Sequence, residues 1–131
     1  KPGEDLILAI DHYLQQHKIE AGYIATGVGS LSQVSFRKGY ERTSVILDEG
    51  YEMISLSGTL SIGGMHLHMA VSDAQFNMLG GHVRVGTIVR TTAEIVIIQL
   101  DHHELRRHKS DLNPHKELHI VKSSNICSDP K

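Results

Sequence analysis

The chain has 131 residues, 40% hydrophobic and 21% charged, enough for one globular core and too few for two. Its 13 Lys and Arg against 15 Asp and Glu leave a formal charge of −2, which excludes a strongly basic surface built to neutralise many nucleic-acid phosphates. The single cysteine, Cys127, excludes an intramolecular disulfide, and no apolar run approaches the roughly 20 residues a membrane-spanning helix needs. The expected compartment is the cytoplasm, although a chain beginning at Lys1 leaves room for a removed targeting peptide. Aromatic residues are only 5% and Trp is absent, so Ile, Leu, Val, Met and Ala must fill the core. The unusual feature of the composition is its 10 histidines.

From Glu4 to Lys18, apolar residues recur at Leu6, Ile10, Tyr13 and Leu14, with Ile7 widening the stripe, which predicts an amphipathic helix. Glu4 and Asp5 place negative charge at its start, and His17 with Lys18 place positive charge at its end. Beyond Ala21 the pattern changes to short apolar runs punctuated by glycine, and the remainder reads as strands. Tyr23 to Val28 is a buried strand closed by Gly27, Gly29 and Ser30, and Val34 and Phe36 alternate with Ser35 and Arg37 in a half-exposed one. Val45 to Leu47 and Tyr51 to Ser61, separated by Asp48, Glu49 and Gly50, form an expected hairpin. Gly63-Gly64 then supplies a tight turn into Met65 to Val71.

Glu94 to Leu100, with Ile95, Val96, Ile97 and Ile98, reads as a central strand buried on both faces. Asp101 to Lys116 is charged and His-rich and reads as an exposed loop, Leu118, Ile120 and Val121 as an edge strand, and Ser123 to Lys131 as a frayed end. Strands joined by short Gly-bearing connections, with one principal helix to cover them, predict a single-domain α+β fold built on a mainly antiparallel sheet.

The chemistry concentrates in Met65-His66-Leu67-His68-Met69-Ala70-Val71. Side chains alternate along a strand, so His66 and His68 share the face opposite Leu67, Met69 and Val71, with their Cα atoms roughly 6.5 Å apart. Two imidazoles so placed can converge on one ion, and His82, in Gly80-Gly81-His82-Val83, offers a third if the paired glycines let the backbone turn sharply toward a neighbouring strand. Three imidazoles with an open position suit zinc, or another divalent ion such as nickel or cobalt. The competing reading is a plain polar face, which 10 histidines make unsurprising.

The other candidates are weaker. His102, His103, His115 and His119 read as solvated, and so do His12 and His17. Cys127 reads as a free surface thiol. Ser30 and Ser32 do not form a nucleophile elbow, and Gly27-X-Gly29 lacks the third glycine of a dinucleotide fingerprint. Asp73 reads as a turn residue, and Glu94 as a strand-end carboxylate or, near the histidines, a general base.

Together, Pro2-Gly3-Glu4-Asp5-Leu6, Gly27-Val28-Gly29-Ser30-Leu31, Ser55-Leu56-Ser57-Gly58-Thr59, His66-Leu67-His68, Gly80-Gly81-His82-Val83 and Thr92-Ala93-Glu94-Ile95-Val96-Ile97 resemble the plant and prokaryote conserved (PPC) domain, which in plants follows AT-hooks in nuclear DNA-binding proteins. The similarity runs from about Lys1 to Val121 and implies a domain over 1–121 and a flexible tail over 122–131. It implies a homotrimer, a metal-type site made by His66, His68 and His82 near the subunit interface, and a DNA-associated regulatory role. Two plant features are missing. No AT-hook is present, Arg106-Arg107-His108-Lys109 being the basic cluster, and in the partner-contacting stretch that corresponds to Glu49 through Ile54 the plant arginine is replaced by Gly50. A small metal-dependent enzyme, in which Glu94 or Asp73 moves protons, and a purely structural or protein-interaction trimer are the alternatives.

Overall fold

In the computed structural model, which describes residues 1–111 and 113–122, the chain opens with its one helix, α1 (Leu6–His17). Its start is fixed by Asp5, which stays extended and accepts hydrogen bonds from the N–H groups of Ile7 and Leu8 at 2.9 and 3.1 Å. The helix therefore begins later than its charge pattern suggests. Asp5 is the cap rather than a first-turn charge, and Glu4 pairs with the N-terminal ammonium. The second Asp5 oxygen accepts from the Gly86 N–H at 2.6 Å, so one carboxylate both starts the helix and ties it to the sheet. Lys18, left-handed at φ 53°, ends it. Leu6, Ile7, Ile10 and Leu14 are buried, whereas Tyr13, on the same predicted stripe, is exposed.

Replacing Asp5 by alanine removes all three bonds and is expected to cost about 2 kcal/mol or more. The shift in urea midpoint measures this, and Asp5→Asn, which keeps one oxygen to cap the helix but turns an amide N–H toward the Gly86 N–H, should recover only the capping share.

The strands that follow are β1 (Gly22–Arg37), β2 (Ser44–Leu47), β3 (Tyr51–Leu60), β4 (His66–Ser72), β5 (Met78–His82), β6 (Ile88–Gln99), β7 (His103–Ser110) and β8 (Asn113–Lys122). Every pairing among them is antiparallel. The two short strands expected before and after Gly29 are one: β1 runs through that glycine. Register shifts at Ile24/Thr26, Gly29/Leu31 and Leu31/Gln33 bend it. Such irregularities break the two-residue alternation from which continuity would be read.

The bent sheet runs β1–β3–β4–β5, and Val83, immediately after β5, bridges back to Phe36 of β1. The result is a curled half-barrel, with β6 on the edge of β1 that Val83 also meets. The helix packs into this curve, and Leu14, Leu31, Leu60, Val34 and Val71 are fully buried at the centre.

Three expectations need correction. β2 and β3 do not form a hairpin with each other. Both pair with β1, at Val34↔Leu47 and Leu31↔Tyr51, so Asp48–Gly50 is an interruption in one long edge rather than a reversal. The apolar run in β6 is not a central strand buried on both faces. It pairs with β1 alone among the described strands; Ile95 and Ile97 pack on the core while Val96 and Ile98 are 48% and 40% exposed. Finally, the stretch expected to be a loop over 101–116 contains β7 and the start of β8, a hairpin pinned to the body by the Leu105 N–H donating to the Glu20 carbonyl at 2.9 Å. Its strands are legible in hydrogen bonds but not in hydropathy, because Leu105 is its one buried apolar side chain among the described residues. Cys127 and residues 123–131 lie outside the described residues.

Candidate metal centre

β4 follows the alternation read from its sequence: Leu67, Met69 and Val71 turn into the core, and His66 and His68 turn outward. β5 lies beside it with His82 directly opposite His68. Gly80 and Gly81 do not turn the chain, contrary to the expectation. They lie within β5 opposite Ala70 and Met69, and at Gly80 a Cβ would come within 2.8 Å of the Met69 carbonyl oxygen. What they permit is close approach of two strands, and sheet pairing itself brings the third imidazole to the first two.

The three rings form a near-equilateral set, with centroids 5.2, 5.1 and 5.3 Å apart. One nitrogen from each ring can be chosen so that all three lie within 4.8 Å of one another. Nε2 of His66 and Nε2 of His68 are 3.3 Å apart, which is close to the separation of about 3.3 Å that two nitrogens have on one tetrahedral ion with bonds of about 2 Å. The same distance is within hydrogen-bond range, with donor and acceptor set by the ring tautomers. The Nδ1 of His82 is buried and has no hydrogen-bond partner among the described residues.

Burial first, then the positive charges of Arg37 and Arg84 and the neighbouring rings, push the His82 pKa down from 6.5 to about 4. His66 is lowered too, by burial and then by Arg107, His68 and Arg37. Both rings are thereby kept neutral, the form that donates a lone pair to a cation. A cleft of about 270 Å³ reaches His66 and His68 past Ser57 and Thr59, and one of about 340 Å³ reaches His66 and His82 past Arg37 and Tyr40. Arg107, from the β7–β8 hairpin, borders both.

The remaining candidates lie elsewhere. Glu94 is exposed on β6, with β1 and β3 between it and the histidine strands. Asp73 is a turn residue as expected: its carboxylate accepts from the N–H groups of Gln75 and Asn77, both at 2.8 Å, and the bond from the Asn77 side-chain amide, then these two, hold its pKa down. The rings of His17 and Tyr13 meet with centroids 4.2 Å apart and those of His108 and His119 with centroids 5.4 Å apart, both pairs tilted, and Nδ1 of His103 lies 2.7 Å from the Asp101 carbonyl. His115, read as solvated, stands at the edge of the larger cleft. Sequence reasoning missed Arg37, Arg84 and Arg107 as neighbours of the histidines. No spacing signal could have found them, since they arrive from the end of β1, the segment after β5 and a hairpin that itself read as a loop.

A curled antiparallel half-barrel, filled by one helix and carrying three convergent histidines on its outer face, defines a small α+β protein with a candidate metal centre. The chain matches the Plants and Prokaryotes Conserved (PCC) domain over residues 1–101 and belongs to that family. It is similar to a hypothetical protein from Salmonella enterica, 39% identical with a TM-score of 0.90, the match covering 92% of this chain and 88% of that one. The fold is shared at a TM-score of 0.76 and 21% identity with a metal-containing protein from Archaeoglobus fulgidus, over 91% of this chain and 88% of that one. It is shared at 0.80 and 20% identity with a protein from Ralstonia eutropha named as a DNA-binding candidate, over 92% and 88%. Among curated proteins, bifunctional protein GlmU of a Synechococcus strain is 39% identical over 121 residues, which are 92% of this chain; the chain spans 20% of that relative's length.

Proposed function

We propose that this chain is a metal-holding regulatory module of the DNA-associated type that acts as a homotrimer, with His66, His68 and His82 holding one divalent cation, zinc foremost. The observation that carries the reading is the convergence of three imidazole nitrogens within 4.8 Å. Neutral imidazoles suit zinc, and three of them leave one position open. A bound zinc would supply a cross-link between β4 and β5 and a Lewis-acidic site facing the clefts. Neither carboxylate suggested as a proton carrier, Glu94 or Asp73, borders those clefts, so a binding and regulatory role is favoured over hydrolysis. A metal-containing protein shares the fold, which agrees with this reading.

Elemental analysis of protein purified without a His-tag should find about one metal ion per chain, falling below about a tenth in the His66→Ala/His68→Ala variant. Wild-type protein that neither retains nor takes up zinc would overturn the assignment. For the trimer, support comes from the apolar strip left on the outer face of β1 and β6, where Tyr23 pairs with Ile98 and Val28 and Val96 lie uncovered. Light scattering should report three times the chain mass, and a strict monomer would exclude the trimer. DNA contact, if direct, would fall to the hairpin bearing Arg106, Arg107, Lys109 and Lys116, and its affinity should drop steeply with salt. No binding to duplex DNA at low ionic strength would leave regulation without direct DNA contact.

A further inference from the structure

Among the described residues, the clefts beside the three histidines are bordered by Arg37, Arg107 and Lys116 and by no carboxylate. Arg37 and Lys116 border the larger one, Arg107 borders both, and Arg84 follows His82 closely enough to act on its charge. These groups come from separate elements, so their meeting is a product of the fold rather than of a basic run in the chain. One is held in place. Arg107 donates from its guanidinium to the Lys116 carbonyl at 2.9 Å, which fixes it across the hairpin. The Nε atoms of Arg37 and Arg84 are buried with no hydrogen-bond partner among the described residues. Buried guanidinium N–H groups left unsatisfied are costly and call for an acceptor.

A divalent cation at His66, His68 and His82 would add further positive charge to this surplus, and neutral imidazoles offset none of it. We infer that the cleft bordered by Arg37, Arg107 and Lys116 binds a small oxyanion, a phosphate or carboxylate group, one oxygen of which takes the position left open on the cation. This rests on the metal reading above and adds the class of ligand to it. Guanidinium forks match the paired oxygens of such a group, and the anion would balance the arginines and the cation together. The cleft, about 340 Å³, admits a small metabolite. Tyr40, almost wholly exposed at its mouth, stands where the remainder of such a molecule would leave.

Cobalt substituted for zinc makes the site visible through its d–d absorption, and inorganic phosphate and acetate are the probes. Phosphate should shift the cobalt spectrum saturably, and Arg37→Gln and Arg107→Gln should each keep full cobalt stoichiometry while weakening phosphate at least about tenfold. A tighter response to phosphate than to acetate assigns the site to phosphate-bearing ligands, and the reverse to carboxylates. A cobalt-loaded protein whose spectrum neither anion moves, or arginine variants that bind phosphate as wild type does, would overturn the inference. If the chain takes up no cobalt, the metal reading fails separately. Calorimetry of phosphate on the metal-free protein then decides the basic cleft: heat abolished by the arginine substitutions sustains it, and no heat from wild type removes it.

Discussion

Gly58→Ala is expected to destabilise the chain by about 3–5 kcal/mol. Gly58 sits in β3 at φ +146°, a conformation L side chains rarely adopt, directly opposite Leu67 of β4. A Cβ there would overlap the His66 carbonyl and come within 3.0 Å of the Leu67 Cα. Those are backbone atoms of the strand that carries two of the three histidines, so no side-chain rotation can relieve the clash. The strands must part, and His66 must move with its carbonyl. The variant should therefore lose metal affinity together with stability, although residue 58 donates nothing to the ion. Gly64→Ala is the control: at φ +136° it carries similar backbone strain, but its Cβ would have nothing within 4 Å, so only about 1 kcal/mol is at stake. Urea unfolding of the two variants beside zinc titration tests this. A Gly58→Ala protein within 1 kcal/mol of Gly64→Ala would mean that β3 and β4 do not approach so closely in solution.

The same close approach shows why some of this molecule was readable from its residues and some was not. α1 was legible because its signals are local: a stripe of Leu6, Ile10 and Leu14 and a carboxylate beside the first turn. The pair His66 and His68 was legible because strand alternation is local as well. His82 joined them through the register of β5 against β4, a long-range pairing for which the glycines were a correct pointer read with the wrong geometry. Strand continuity through Gly29 was hidden by register shifts that interrupt alternation, and the β7–β8 hairpin by the charges on its open faces. Hydropathy misplaced β6 for a different reason. It reports how much apolar surface a strand has to cover, not what covers it, and Val96 and Ile98 remain exposed on a single chain. The arginines around the histidines carry no pattern at all, since each is an ordinary surface residue until the sheet curls. In this chain, then, the donors of the candidate centre were readable and its electrostatic surroundings were not, and it is the surroundings that set which ligand it would accept.

Zinc is expected to raise the melting temperature by about 10–20 °C when its free concentration stands a thousandfold above its dissociation constant, an increment of about 4 kcal/mol. Linkage sets the sign: an ion that binds three imidazoles gathered by the fold, and binds the unfolded chain far less, favours the folded state. The pH dependence of the metal-free protein has the opposite sign from that of a salt-bridged histidine. With a folded pKa of about 4 against an unfolded value near 6.5, His82 binds fewer protons folded than unfolded between those limits. Stability contributed by this group is therefore unchanged above about pH 6.5, falls as pH drops toward 4, and is lost no further below that; His66 acts in the same direction. His82→Gln should flatten that slope in the metal-free protein. In the zinc-loaded protein the increment should persist on acidification below the pH at which free imidazole releases zinc, because the fold already disfavours the competing proton on two of the three rings. Thermal scans at a series of pH values, with and without zinc, on wild type and His66→Ala/His68→Ala, test both halves. A zinc shift of equal size in the double variant would place the ion somewhere other than these three rings.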